Sequence, residues 1–270
     1  MFQAQSDRTS KVQYGTLYTF LKACVFQILS KGPIPNHLAF IMDGNRRYAK
    51  KMNLSPGEGY RAGSSALMNI LKYCWELGVK YITIYAFSID NLKRSPEEVK
   101  LIIDLMMEKL DGFSKEDILV NEYGIRVHVI GNLKLLSEGV RVAAENAMKA
   151  TAKNNKCVLL ICVAYTSRDE MRHAVEECCR EKMECEELKC GIQMADVEKN
   201  MYMKVAPDPD VVIRTSGETR LSNFLLWQAS YSVLYAPATL WPEIGLWELV
   251  SSVLKFQRHY SYLDKKKIQL

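Results

Sequence analysis

The sequence predicts an α/β fold, a central and mostly parallel sheet of about six strands flanked by helices. Three observations carry this. Short apolar runs recur that are hydrophobic throughout rather than at alternate positions, as strands covered on both faces must be. Amphipathic helical patterns fill the intervals between the runs. Polar side chains then collect directly after the runs, where open parallel sheets present their ligand sites.

In chain order, Thr16 to Leu29 is apolar apart from Lys22 and Gln27, with Leu17, Phe20, Leu21, Cys24, Val25 and Ile28 on one helical face. It is shorter than the roughly 20 residues a spanning helix needs. It therefore lies in an interface, packs on a partner or folds back on its own domain. Leu38 to Met42 is the first strand. Leu67, Ile70, Leu71 and Cys74 share a helical face ahead of the second strand, Tyr81 to Phe87. Ser95-Pro96-Glu97-Glu98 supplies an N-cap, a first-turn proline and a capping-box Glu to a helix with Val99, Ile102, Ile103, Met106 and Leu110 on one face. Ile125 to Ile130 is the third strand, Val140, Ala143, Ala144 and Ala147 mark the next helix, and Val158 to Ala164 is the fourth strand. Ser167-Arg168-Asp169-Glu170 repeats the capping box before Met171, Ala174, Val175 and Cys178. Cys179 to Lys204 is charged, rich in Met and Cys, and without sustained period. We read 179–204 as a partly ordered, variable insertion without chemistry. Val211 to Ile213 and the shorter run Val233 to Tyr235 complete the sheet, and 264–270 is a basic tail in which Lys265, Lys266 and Lys267 are solvated.

Composition narrows the function. With 48% hydrophobic and 25% charged residues the chain has the balance of a globular protein with a sizeable core. A formal charge of +5 suits anionic substrates or an anionic membrane surface but does not imply nucleic acid, for which no stacking module is visible. The eight cysteines form no C-x-x-C pair and follow no signal peptide, which points to a reduced, cytosolic setting. Cys178, Cys179, Cys185 and Cys190 lack the paired spacing of zinc ligands.

The strand ends hold the chemistry. After the first run stands Asp43-Gly44-Asn45-Arg46-Arg47; after the second, Ser88, Asn91 and Arg94; after the fourth, Tyr165 to Arg168; after the fifth, Arg214, Ser216, Arg220 and Ser222. By itself the pentapeptide also suits a turn Asp, a capping Asn and two solvated arginines. Several arginines converging on one rim instead imply a ligand with several phosphates. A carboxylate beside such a site makes sense mainly with a divalent cation between them.

These residues carry a resemblance. Ile41 to Ala49, Tyr85 to Ser88 with Asn91 and Arg94, Ile213 to Glu218 running through Arg220 and Ser222 to Gln228, and Leu240 to Glu243 resemble the cis-prenyltransferases, over roughly residues 34 to 263. The closer likeness is to the eukaryotic dehydrodolichyl diphosphate synthase subunit, with its plant and rubber-forming relatives. The resemblance implies a segment 1–33, a catalytic domain 34–263 with a hydrophobic tunnel, and sequential condensation of isopentenyl diphosphate onto an allylic diphosphate, farnesyl diphosphate by default. It assigns Mg2+ on the allylic diphosphate to Asp43, a cradle for that diphosphate to Gly44, Asn45, Arg46 and Arg47, and places Tyr48 and Tyr60 among the substrate-binding positions. Ser88 and Asn91 match catalytic positions, Asn91 assisting proton removal. Arg94, Arg214, Arg220 and Ser222 match the isopentenyl diphosphate site. Tunnel walls are expected from the Val99 to Leu110 helix, through Ile102, Ile103, Met106 and Met107, and from the strand Ile125 to Ile130.

The chain also departs from the family pattern. Tyr60 replaces a His, Pro56 and Gly57 fall where bacterial members have a phosphate-binding basic residue, Leu92 replaces an aromatic, and Thr219 and Val233 stand where bacterial members have a metal-binding His and Glu. The sequence stops at Ile268-Gln269-Leu270 without the Arg-x-Gly tail that reaches across a dimer interface. The resemblance accordingly implies a heteromer. The accessory subunit would be related but non-catalytic, similar to the Nogo-B receptor class, and would hold this chain peripherally at the cytoplasmic face of the endoplasmic reticulum membrane. The alternatives are a rubber-type cis-polyisoprene synthase subunit and a non-catalytic scaffold of the same fold, and the intact Asp43 to Arg47 constellation weighs against the scaffold. An aspartyl-phosphate hydrolase needs a carboxylate where Asn45 stands, and a trans-type prenyltransferase needs an Asp-Asp-x-x-Asp cluster that does not occur.

Overall fold

The computed structural model describes residues 17–114, 120, 122–184 and 191–268. Its centre is a six-stranded parallel sheet of β1 (His37–Ile41), β2 (Tyr81–Ser88), β3 (Ile125–Ile130), β4 (Cys157–Tyr165), β5 (Val211–Arg214) and β6 (Val233–Tyr235), in the order β3-β4-β2-β1-β5-β6. Each expected strand is present. The α/β class follows from the sequence as read.

Helices cover the sheet: α1 (17–29), α2 (Asn45–Lys51), α3 (Pro56–Leu77), α4 (Pro96–Ser114), α5 (Glu138–Ala150), α6 (Ser167–Glu184), α7 (Met194–Asn200) and α8 (Leu246–Ile268). Successive strand residues point to opposite faces. Leu38, Phe40, Ile82, Ile84, Leu159 and Ile161 therefore join the larger core with α3, α4 and α5, while Ala39, Ile41, Leu160, Cys162 and Val212 pack beneath Tyr165, Phe224 and Met203.

The structure adds detail at four stretches of the sequence reading. The helix at 17–29 does fold back on its own domain, but through Phe26 and Leu29 against Leu77, Leu246, Val250 and Val253. Leu17, Phe20, Leu21 and Ile28, the face expected to dock, are 54%, 64%, 53% and 70% exposed. The second capping box is not formed. The Thr166 hydroxyl accepts the Asp169 N–H at 3.3 Å, and Glu170 is buried under Tyr165 instead. Of the supposed insertion, 191–204 is ordered and packed: α7 returns along α6, Met201 and Met203 are buried, and the Cys178 thiol donates to the Asp196 carbonyl. The basic tail continues as the end of α8, with Lys265 exposed.

Thr16, Cys185, Cys190, Gln269 and Leu270 lie outside the described residues. The six described cysteines are free thiols, no described group of three or more His, Cys, Asp or Glu is arranged to hold a metal ion, and no described helix is long and apolar enough to cross a membrane.

Candidate active site

The three neighbouring strands β2, β1 and β5 end side by side, so their carboxyl ends bring the polar stretches together. Asp43 follows β1 by two residues. Gly44 takes φ 114°, and a Cβ there would sit 2.5 Å from the Ser216 hydroxyl and 3.1 Å from Leu240. Only glycine fits this turn. It lets the chain cross from β1 into α2 while lying against the exit of β5.

The Asp43 carboxylate is held on both oxygens. Arg214 Nη2 donates to Oδ2 at 2.8 Å, and Arg47 Nη2 donates to Oδ1 at 3.2 Å. Burial raises the pKa of this carboxyl, but the bonds and charges of Arg214 and then Arg47 outweigh it, so Asp43 lies below the usual carboxylate range and is ionised at neutral pH. Arg214, nearly buried, also donates from Nη1 to the Ser222 hydroxyl at 2.5 Å and to the Arg220 carbonyl, which fixes the return of the chain at 220–222. Its Nε and the Oδ1 of Asn45 are buried without a partner. Both residues belong to the cavity lining.

At the end of β2 the pairing with β4 shifts register between Tyr85 and Ser88. This irregularity turns the chain into a short helical turn, Ile89–Lys93. There the Ser88 N–H donates to Asn91 Oδ1 at 3.0 Å and the Asp90 N–H donates to Ser88 Oγ at 3.1 Å. Each side chain is thus tied down at the rim. Glu98 does not close the box on Ser95 that the sequence suggested. It accepts from Tyr60 Oη at 2.8 Å and Arg94 Nη1 at 2.7 Å, and lies 3.6 Å from Arg46 Nη1. Burial pushes the Tyr60 hydroxyl up to about 12, assisted by its bond to Glu98, so it is a neutral donor.

These groups surround one cavity of about 920 Å³. Asp43, Gly44, Asn45, Arg46, Arg47, Tyr60, Ser88, Asn91, Arg94, Arg214, Arg220 and Ser222 all line it. Of the residues that the resemblance assigned to the site only Tyr48 does not; it is half-buried, next to Arg47 on α2. Of the strand-end stretches, Ser216 and Tyr165 to Arg168 also lie off the cavity wall, with Tyr165 and Ser167 buried and Arg168 exposed. Beyond the charged rim the walls become apolar, with Leu67 and Met68 of α3, Ile102, Leu105, Met106 and Phe113 of α4, and Ile84, Leu159 and Ile161 of the sheet. The wall expected from β3 is absent because β3 is the outer strand, beyond β4. Ile103 and Met107 pack into the core instead.

Sequence reasoning missed three carboxylates, the first being Asp90, which lines the cavity in the turn after β2 and pairs with Lys93 at 2.7 Å. Glu98 was hidden by its capping position, although its spacing of four from Arg94 on a helix start was a signal. Glu218 lines the cavity and pairs with Arg220 and, at 3.5 Å, with Arg47, bridging guanidiniums from two strand ends. The whole arrangement sets the Asp43 carboxylate, with Glu218 and Asp90 also on the cavity wall, among five guanidiniums above an apolar hollow. It is suited to stabilise charge developing on a phosphate leaving group while keeping a hydrocarbon out of water.

Comparison with known proteins identifies the family. The family described as "Putative undecaprenyl diphosphate synthase" matches residues 41–263. A dehydrodolichyl diphosphate synthase of Solanum lycopersicum is 57% identical over 272 residues, covering 93% of this chain and 94% of its own. A rubber cis-polyprenyltransferase of Hevea brasiliensis is 50% identical, with 92% and 93% covered. The dehydrodolichyl diphosphate synthase complex subunit of Homo sapiens is 40% identical, with 96% and 77% covered. Among solved structures, lavandulyl diphosphate synthase of Lavandula x intermedia, in complex with dimethylallyl diphosphate, superposes with a TM-score of 0.77 at 30% identity, covering 83% of this chain and 95% of that one.

Proposed function

This chain belongs to the undecaprenyl diphosphate synthase family of cis-prenyltransferases, and from that premise we propose that it condenses isopentenyl diphosphate repeatedly onto an allylic diphosphate, farnesyl diphosphate as the starter, as the catalytic subunit of a heteromer. The observation that carries the proposal is the Asp43 carboxylate between Arg214 and Arg47 at the mouth of a cavity whose walls turn from guanidinium to hydrocarbon.

Asp43, with Arg46, Arg47 and the Gly44-Asn45 backbone, receives the allylic diphosphate. Arg94, Arg214, Arg220 and Ser222 receive the diphosphate of isopentenyl diphosphate, beside the first. The allylic C–O bond breaks and its electrons leave with the diphosphate, where the arginines stabilise the charge. The double bond of isopentenyl diphosphate attacks the allylic carbon, and loss of a proton to an oxygen of the released diphosphate, assisted by Asn91 with Ser88, leaves a new cis double bond. The lengthened chain moves along Met68, Met106 and Phe113, which makes the hollow a tunnel. No protein nucleophile is needed.

The ionised Asp43 carboxylate at the mouth of the cavity fits Mg2+. That ion is commonly bound by one or two carboxylates together with substrate phosphates rather than by an all-protein cage. Asp43 would hold it, and it would supply Lewis-acid charge to the leaving diphosphate.

The partner we propose is a related, non-catalytic accessory subunit of Nogo-B receptor type, supplying an Arg-x-Gly tail and a peripheral attachment at the cytoplasmic face of the endoplasmic reticulum membrane. Supporting it are Thr219 and Val233 in place of the bacterial metal-binding pair, and the Homo sapiens relative's description as a complex subunit. The test is incorporation of labelled isopentenyl diphosphate by the purified chain with and without candidate accessory subunits, with product length read by chromatography. Activity should require the partner and vanish in Asp43→Asn with the fold retained. Full turnover by the chain alone would overturn the heteromer, and turnover by Asp43→Asn would overturn the role of Asp43.

A further inference from the structure

Thr215, the first residue beyond β5, is completely buried. Its hydroxyl donates to the Asp43 carbonyl at 2.6 Å and accepts the Asp43 N–H at 3.0 Å. A single side-chain oxygen thus engages both polar backbone atoms of the residue at the centre of the site. The same carbonyl also accepts from the Ser216 hydroxyl at 2.9 Å and from the Trp241 N–H at 2.9 Å.

The β1–β5 ladder ends at the pair Ile41 and Arg214. Past that pair the Thr215 N–H still reaches the Ile41 carbonyl at 3.4 Å, and the Asp43 N–H also donates to the Ile41 carbonyl of its own strand at 3.0 Å. The Thr215 hydroxyl adds the bonds that tie the Asp43 backbone across to the end of β5. Since Arg214, one residue earlier, holds the carboxylate, the main chain and the side chain of Asp43 are both set by residues 214–216. A threonine needed only for packing would require neither bond, and valine has nearly its shape.

We propose that Thr215 is a positioning residue for catalysis, its hydroxyl clamping the Asp43 backbone so that the carboxylate meets the Mg2+ and allylic diphosphate at the productive place. The proposal rests on the role of Asp43 proposed for the reaction. Displacement of a reacting group by about 1 Å costs on the order of 100-fold in rate, so a partly loosened Asp43 should cost about 10-fold or more. The Thr215 hydroxyl bonds only to the Asp43 and Ile41 backbone, not to the side chains proposed for isopentenyl diphosphate.

The test uses the full chain, with its accessory subunit if activity requires one, and compares Thr215→Val, which removes the hydroxyl, with Thr215→Ser, which keeps it. Thr215→Val should lower kcat about 10-fold or more while KM for isopentenyl diphosphate stays within about twofold, and Thr215→Ser should restore kcat to within about threefold. Calorimetry with a non-reacting allylic thiodiphosphate supplies a readout independent of turnover. Mg2+ should strengthen binding to wild type and Thr215→Ser but several-fold less to Thr215→Val, with binding in chelator equal in all three. Should Thr215→Val fail to fold, Ser216→Ala, which removes the second hydroxyl from the same carbonyl, should move both readouts the same way.

Wild-type kcat and Mg2+ response in Thr215→Val overturn the proposal. So does equal impairment of the Val and Ser variants, which would be a packing effect, or an unchanged Ser216→Ala where Thr215→Val does not fold. An Asp43→Asn control that keeps its turnover and Mg2+ response would mean that the role of Asp43 itself had failed; an inactive control beside a normal Thr215→Val would sink only the clamp.

Discussion

Asp43 and Glu170 are both partly or wholly buried carboxyls near strand ends, and their surroundings drive them in opposite directions. Around Asp43, two guanidiniums outweigh desolvation. Glu170 meets only neutral donors, the Tyr165 hydroxyl at 2.5 Å, the Met203 N–H at 2.8 Å and Gln228 Nε2 at 3.1 Å, so burial prevails and its pKa is raised. The folded chain therefore keeps a proton on Glu170 that the unfolded chain releases first. Stability from this group is fullest below the unfolded carboxylate pKa and declines as pH rises from there through the folded value. Glu170→Gln keeps the neutral shape and should cost no more than about 1 kcal/mol while flattening that decline. Glu170→Ala strands the Tyr165 hydroxyl and the Met203 N–H and should cost about 2–4 kcal/mol. Urea unfolding of both variants between mildly acidic and neutral pH checks this, and equal losses would contradict it.

At the scale of elements, α3 shows how a local signal serves the site. Ser55 accepts the Glu58 N–H, Glu58 returns to the Ser55 N–H at 2.8 Å, and Pro56 opens the first turn, a start that the stronger apolar pattern further along the helix obscures in the sequence. This helix carries Tyr60, Gly63, Leu67 and Met68 to the cavity. Ser55→Ala should cost about 1 kcal/mol of stability, seen as a lower urea midpoint, with kcat nearly unchanged because the site lies beyond the first turn. The two starts that the sequence did advertise diverge. Ser95 caps α4, its hydroxyl accepting the Glu98 N–H at 3.3 Å, but the Glu98 carboxylate is taken by Arg94 and Tyr60, and Glu170 is taken by the core. A capping box competes for its glutamate with every tertiary donor in reach. Charged or buried donors win.

For the whole molecule, the decisive fact is that three strand ends meet over one hollow and that a later loop closes it. Trp241 does the closing. Its indole N–H donates to the Gly63 carbonyl at 2.8 Å, its ring stands edge-on to Phe40 at 5.9 Å, and its backbone N–H reaches Asp43. Gly63 faces Asn45 so closely that a Cβ would lie 2.1 Å from Oδ1. Trp241→Ala should therefore cost about 3–5 kcal/mol by equilibrium unfolding and lower turnover at temperatures where the variant remains folded. An effect on stability alone would mean that the loop packs against the site without shaping it.

The sequence by itself determined the sheet, its strands to within about two residues at either end, and nearly the whole charged rim, because continuous apolar runs report strands covered on both faces and parallel strands deliver their next residues to one edge. Ser216 and the stretch Tyr165 to Arg168 fall outside that rim, as does Tyr48, which stands next to the motif in order but lies along α2 rather than on the wall of the hollow. Only the tertiary structure decided the strand order that excludes β3 from the wall, the face by which 17–29 packs, the partners of Glu98, Glu170 and Glu218, and the clamp of Thr215 on Asp43. Each depends on which residues, far apart in the chain, come within a few ångströms. Periodicity describes the faces an element offers, and the choice among them is made by the neighbours that the fold supplies.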